Sequence, residues 1–237
     1  MGGNNYFQFK QFRIEQEQSA MKVGVDGVLL GAWADVSNAR NILDVGTGTA
    51  LIALMMAQRS LAKITAVEIE KKAATEAKRN IAASPWQERV KVVNTSFQDF
   101  AVTADTTFDL IVSNPPFFTN APKASGNERT LARHNDALPF TELIKCASDI
   151  LNEDGGLAII IPAEGFNDLL GIANSNGLFL KHKTEVKPKS PKKVNRLLLQ
   201  WSKKKTETRV DSLTIFNEDG SFTNEYIRLT RDFYLKF

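Results

Sequence analysis

The sequence predicts an α/β fold: a single doubly wound, seven-stranded, mostly parallel sheet of Rossmann-like architecture. Three observations predict it. Short β-rich apolar runs alternate with helical patterns, the signature of a parallel sheet covered on both faces. A glycine pair in "ILDVGTGTALIAL" separates the first such run from a long helical pattern. No repeat or low-complexity segment interrupts the alternation.

Taken in order, strands are expected at "NILDV", "KITAVEI", "VKVVN", "FDLIVSN", "GLAIIIP", near "LFLKHKTEV" and at "NRLLLQW". Each is a short apolar run of the kind that strands buried on both faces require. The intervening helices are "TALIALMMAQRS", "KKAATEAKRNIAAS", "PFTELIKCASDIL" and "EGFNDLLGIANS". Before the first strand, "MKVGVDGVLLGAWAD" reads as a helix entered through a glycine-containing turn, with Asp26 as N-cap and Val28, Leu29 and Trp33 on one face. After the last strand, "FNEDGS" marks a turn into a short closing segment. One domain over 1–237 is expected, with an N-terminal extension and helix in 1–38, a core in 39–205 and the closing segment in 206–237.

Composition narrows the function class. Apolar residues make up 43% of the 237 and charged residues 24%, which excludes disordered and fibrous classes. No apolar run approaches the roughly 20 residues of a membrane span, and "MGGNNYFQFK" lacks the apolar segment of a signal peptide. A cytoplasmic protein with no membrane partner is expected. The one cysteine, Cys146, reads as a core residue, and the two histidines, His134 and His182, lie too far apart in sequence to suggest a metal-ligand cluster. No metal is expected.

The net charge is only +3, but residues 177–237 carry 14 Lys/Arg against 7 Asp/Glu. Ten basic residues between Lys181 and Lys205 face the single acid Glu185. The apolar "LLLQW" embedded in this run would pin the charges to a fixed face, which suits an anionic partner such as nucleic acid; a solvated loop is the alternative.

The glycine loop carries a sharper signal. Gly46 permits a tight turn after the strand, and Gly48 lets a ligand approach bare backbone. Leu51 stands where a dinucleotide fingerprint wants a third glycine, so a pyrophosphate is not favoured. Glu68 ends the next strand, 20 residues after Gly48, the spacing at which a carboxylate reads ribose hydroxyls. A nucleoside without pyrophosphate fits, and S-adenosylmethionine is one whose cationic sulfonium also suits Asp44.

"SNPPFF", Ser113 to Phe118, follows the fourth strand, and ligands sit at the carboxyl ends of strands in doubly wound sheets. An exocyclic amine is a poor nucleophile while its lone pair is delocalised. Holding its N–H groups in acceptors frees that pair. The Asn114 side chain and the Pro115 carbonyl can be those acceptors, Pro115 and Pro116 fix them with little freedom, and Phe117 offers a face for a flat group.

With the loop, the spaced acid and "NPPF" in order, the chain resembles the class I S-adenosylmethionine-dependent methyltransferases that act on amino groups. Within that superfamily it resembles more closely still the bacterial tRNA1(Val) adenine-37 N6-methyltransferase family, through "FRIEQEQSAMKVGVDGVLLGAWA", "NPPFF" followed by "ERTLARHND", and the closing "LTRDFYLKF". The resemblance spans nearly the whole chain. It implies that Lys22, Gly24 and Asp26 line the cofactor side, that Asp44, Gly46, Gly48 and Glu68 bind S-adenosylmethionine, and that Asn114, Pro115 and Phe117 hold the adenine. Ser96, Phe97 and Asp99 are the candidates beside the cofactor adenine. Many relatives carry Tyr where this chain has Phe117, which keeps stacking and removes a hydroxyl. Arg129, Arg133 and His134 in the long connection, with Lys189, Lys192 and Lys193 in the basic run, are the candidates for tRNA phosphates. A monomer is expected. Rival readings are an N5-glutamine methyltransferase of a translation factor, a guanine-N2 methyltransferase of ribosomal RNA, and an RNA-binding module with a vestigial cofactor site.

Overall fold

The computed structural model describes residues 5–19, 21–115 and 138–237. Its central sheet is built from β3 (Asn41–Val45), β4 (Lys63–Glu68), β5 (Val90–Asn94), β6 (Phe108–Ser113), β7 (Leu151–Pro162), β8 (Phe179–Lys189), β9 (Arg196–Ser202) and β10 (Arg209–Phe216). The spatial order is β10-β8-β9-β7-β6-β3-β4-β5. Only β9 runs against the others. The mostly parallel α/β sheet is thus as expected, with one strand more than the seven read from sequence. The extra strand, β10, lies in the segment expected only to close the chain. A two-stranded antiparallel hairpin, β1 (Tyr6–Gln8) with β2 (Arg13–Glu15), stands apart from the sheet.

Strand side chains alternate between two cores, as the period of two demands. Ile42, Leu110, Val112, Ala158, Ile160 and Leu198 point to one face. Leu43, Ile111, Leu157, Ile159, Leu197 and Leu199 point to the other. Helices α1 (Val25–Trp33), α2 (Leu51–Arg59), α3 (Lys71–Ala82) and α7 (Asn224–Thr230) contribute to the first core. Helices α4 (Phe97–Thr103), α5 (Phe140–Ile150) and α6 (Phe166–Ser175) contribute to the second.

Local chemistry sets the helix starts. The Glu70 side chain accepts the Ala73 N–H at 2.6 Å to open α3, and Thr223 accepts from Tyr226 at 3.2 Å to open α7. Helix α1 departs from expectation: its N-cap is Gly24, which makes no side-chain cap, and Asp26 lies inside the first turn. There its charge still complements the helix dipole. Further along α1, a Cβ on Gly31 would sit 2.6 Å from the Met55 sulfur, so glycine is what lets α1 press against α2. The start of α1 is brought to the carboxyl ends of the strands, where Asp26 meets Arg196 beside the end of β7.

Candidate active site

Strand order reverses at β3. From there the chain builds outward through β4 and β5, then crosses back to place β6 on the other side of β3. Ligands of doubly wound sheets bind outside the carboxyl ends at such a switch point. The ends of β3, β4 and β6 deliver Asp44, Glu68 and Asn114 there.

Gly46 (φ 68°) and Gly48 (φ 57°) adopt the left-handed conformation that other residues strain to reach, and a Cβ on either would meet nothing within 4 Å. Glycine is needed for the backbone, and the space before the loop is open. The N–H groups of Gly46 and Thr47 donate to the Val67 carbonyl at 2.9 and 3.1 Å, tying the loop to β4. Glu68 completes this tie. One oxygen accepts the Gly48 N–H at 2.9 Å and the other the Glu70 N–H at 2.9 Å. Each carboxylate oxygen keeps a second lone pair for a ligand hydroxyl. Glu68 therefore shapes the loop. Glu68→Ala is expected to weaken nucleoside-cofactor binding by about 1 to 3 kcal/mol, because a charged acceptor and a loop anchor are removed together. Calorimetry with S-adenosylmethionine checks this, and unchanged affinity in a folded variant would remove Glu68 from the site.

Asp44 is fully buried at the end of β3. Its Oδ2 accepts the Thr47 hydroxyl at 2.6 Å and the Ala53 N–H at 3.1 Å, while its Oδ1 has no partner among the described residues. Burial pushes its pKa up to about 7; the bonds from Thr47 and Ala53 oppose the rise and the nearby Glu68 charge adds to it. A buried carboxyl oxygen without a donor is costly unless a ligand supplies one. A cationic, donor-bearing ligand fits that requirement.

Asn114 shows the same pattern across the switch point. Its Oδ1 is buried and has no partner among the described residues. The end of β6 is held by the Ser113 hydroxyl, which donates to the Val45 carbonyl at 2.9 Å, so Asn114 and the buried Pro115 follow directly from an anchored strand. Pro116, Phe117, Arg129, Arg133 and His134 lie outside the described residues.

The remaining candidates divide. Lys22 and Gly24 are exposed on the segment leading into α1. Asp26 is held by Arg196, whose Nε lies 2.9 Å from its Oδ2. Ser96 caps α4, accepting the Asp99 N–H at 3.0 Å and donating to the Asp99 carboxylate at 2.7 Å. Phe97 is 3% exposed and belongs to the core with Val45 and Val67. The segment expected to form a ligand edge is thus also a helix start. Sequence reasoning misses Thr47, Glu76 and Asn80; the last two are buried on α3 and bonded to segments far away along the chain.

The basic run is not one face. β8 rises to the carboxyl edge and β9 descends from it, so Lys187, Lys189, Lys192, Lys193 and Arg196 lie at the site's end of the sheet. Lys203, Lys204 and Lys205 emerge at the other end, where Lys203 donates to the Leu151 carbonyl at 2.8 Å and Lys204 pairs with Asp154. Level with Ser113 across the sheet lies Lys183, six residues before Lys189. The β8–β9 turn therefore stands about 20 Å above that level, at roughly 3.3 Å per residue.

Known proteins share this sequence and this fold. Residues 24–170 match the family described as Methyltransferase small domain. A relative from Phocaeicola vulgatus named tRNA1(Val) (adenine(37)-N6)-methyltransferase is 48% identical, covering 98% of each chain. Relatives of the same name from Trichodesmium erythraeum (48% identical, 100% of each chain) and Erwinia tasmaniensis (43%, 98% of this chain and 95% of the relative) match equally end to end. The fold is shared with a predicted O-methyltransferase from Agrobacterium tumefaciens (TM-score 0.67, 20% identity, 88% of this chain and 96% of that one). It is shared too with a methyltransferase from Pyrococcus furiosus (TM-score 0.58, 22% identity, 80% and 89%). No group of three or more potential metal ligands occurs among the described residues, and no helix among them is long and apolar enough to cross a membrane. By sequence over its whole length and by its sheet, the chain belongs to the tRNA1(Val) (adenine(37)-N6)-methyltransferase family, within the Methyltransferase small domain class.

Proposed function

We propose that this enzyme transfers a methyl group from S-adenosylmethionine to the exocyclic N6 of adenine 37 in tRNA1(Val). The observation that carries the chemistry is the buried Asn114 Oδ1 at the carboxyl end of β6, which has no partner among the described residues. The names of the full-length relatives support the choice of RNA and nucleotide.

The cofactor supplies, when bound, an electrophilic methyl on a cationic sulfur. Asp44 Oδ1 is the acceptor available to its positive end, and Glu68 to its ribose hydroxyls. Asn114 Oδ1 and the Pro115 carbonyl accept the two N6 hydrogens, drawing the lone pair out of conjugation so that it points at the methyl. The methylated nitrogen is acidic, and its extra proton leaves without a strong general base. An adenine in an anticodon loop is partly stacked, so it must be extruded, and Phe117 would give it a surface. We also propose that the raised β8–β9 turn, with Lys189, Lys192 and Lys193, meets the RNA backbone. The acids Glu218 and Asp219 follow β10 at the same end, so this is a local track of cations rather than a uniformly positive surface.

Incubation with S-adenosylmethionine and tRNA1(Val) transcript, followed by nucleoside mass analysis, should yield N6-methyladenosine at position 37. N2-methylguanosine, or methylated glutamine in a translation factor with no RNA product, would replace this reading. Lys192→Ala with Lys193→Ala should weaken RNA binding and flatten the slope of log affinity against log salt by up to about 0.7 to 0.9 for every phosphate that the variant no longer neutralises. Cofactor affinity should not move. An unaltered salt slope would make the turn a solvated loop.

A further inference from the structure

Helix α3 carries two buried polar side chains on one face, Glu76 (0% exposed) and Asn80 (2%), one turn apart. Both spend their hydrogen bonds on other segments. One Glu76 oxygen accepts the N–H groups of Glu17 and Gln18 at 2.7 and 2.8 Å, and the other accepts that of Ser19 at 2.9 Å. Three successive backbone donors thus converge on one carboxylate. Burial pushes the Glu76 pKa up, but these bonds from Gln18, Ser19 and Glu17 outweigh it and hold the group below the usual carboxylate range. Asn80 Oδ1 accepts the Glu15 N–H at 2.9 Å, and its Nδ2 donates to the Glu15 carbonyl at 2.9 Å.

The second bond from Asn80 Nδ2 reaches the glycine-rich loop, donating to the Thr49 carbonyl at 2.9 Å. That carbonyl belongs to the peptide joining Thr49 to Ala50, whose N–H donates to the Thr47 carbonyl at 2.9 Å. The peptide is therefore pinned at both ends. Ala50 needs such a pin. It is the one non-glycine residue with positive φ among the described residues (φ 66°), a conformation an L-residue leaves unless its surroundings hold it. Turning Ala50 toward the helical region requires rotating this peptide, which breaks the bond to Asn80. The same loop presents the Gly48 N–H to Glu68.

We infer that Asn80 is a positioning residue for the cofactor loop, and that it makes the loop's ligand-ready conformation depend on the docking of residues 15–19, which Glu76 secures. Asn80 touches no reacting atom; it acts through Thr49 and Ala50. The coupling is reciprocal: a ligand that binds the held loop must also tighten residues 15–19 on α3. For the cofactor this inference rests on the S-adenosylmethionine reading above.

The test uses the full chain. Asn80→Asp keeps the shape of the side chain but turns a donor toward two carbonyls into an acceptor. In the cofactor-free protein, amide exchange at Gly48 and Ala50 should speed up, a readout that needs no ligand. Binding of S-adenosylmethionine should weaken about 5- to 50-fold, while kcat at saturating cofactor and KM for tRNA change little. In the wild type, added S-adenosylmethionine should slow exchange at Glu17, Gln18 and Ser19; in the variant that protection should disappear. Should Asn80→Asp not fold, Asn80→Ala deletes the donor without adding repulsion and should move the same readouts in the same direction. Wild-type loop exchange and cofactor affinity in a folded variant would overturn the inference, and so would a fall in kcat with affinity unchanged. A wild-type protein that binds no S-adenosylmethionine would instead sink the cofactor reading, with the Gly48 and Ala50 exchange rates still deciding the role of Asn80.

Discussion

Asn114→Ala is expected to lower turnover by about two to three orders of magnitude while RNA affinity barely changes, the scale set by removing a transition-state hydrogen bond from a preorganised site. The asymmetry follows from when the bond matters. In the bound state the adenine N6 hydrogens are ordinary donors, and the variant gives up only one of many interactions with the RNA. As the nitrogen attacks, positive charge develops on it, and its hydrogens become stronger donors to whatever acceptor is already in place. Asn114 Oδ1 is such an acceptor: it is buried, has no competing partner among the described residues, and follows a strand end held by the Ser113–Val45 bond. The strand end that carries it is anchored on folding rather than during reaction. Single-turnover rates with labelled cofactor, beside equilibrium RNA binding, separate the two effects. Full activity in the alanine variant would move the amine-holding role elsewhere.

The parts of the fold legible in the sequence are those whose signal is local and whose surroundings are uniform. β3 and β4 lie where "NILDV" and "KITAVEI" predict, because a strand between two apolar layers must be apolar on both sides. β1 and β2, three residues each, are too short to show a period. β10 escapes for another reason: it is an edge strand with exposed residues such as Val210, and it follows a charged run that reads as the end of the core. α4 has an N-cap signature at Ser96 and Asp99, but those residues stand where a ligand edge is also expected.

The site divides along the same line. Spacing locates Asp44, Gly46, Gly48, Glu68 and Asn114, since each ends or follows a recognisable strand. It does not reveal that Glu68 holds the Gly48 amide, nor that Asp44 is fully buried with one oxygen unpartnered among the described residues. Asn80 and Glu76 are invisible because their partners are 31 to 65 residues away, and nothing in "ATEAKRNIA" points to them. The basic run reads as one face because charge along a sequence does not tell which way a strand runs. Only the pairing of β8 with β9 sends Lys189, Lys192 and Lys193 to one end and Lys203 to Lys205 to the other.

Cofactor affinity should rise with pH through about 7, and Asp44 is the group responsible. Its carboxyl is raised from 3.8 to about 7, chiefly by burial, so near neutrality it is divided between acid and anion. A cationic ligand prefers the anion. Well below the folded pKa, binding must expel the proton, and affinity should fall about tenfold per pH unit, or about fiftyfold between pH 7 and 5. The stability of the free protein should respond with the opposite sign. Because the folded pKa lies above the unfolded value, the folded state holds this proton more tightly. The stabilising contribution is fully present below about pH 4 and is lost as pH rises through 7, at up to about 1.4 kcal/mol per pH unit. One group thus makes the empty protein less stable and the loaded one tighter over the same range, so the thermal shift given by S-adenosylmethionine should grow with pH. Calorimetric titrations between about pH 5 and 8, with Asp44→Asn as control, decide the point. The variant should bind weakly and without the slope. A flat profile in the wild type, or the same slope in Asp44→Asn, would assign the proton to another group and leave Asp44 as a structural acid that only holds Thr47 and the start of α2.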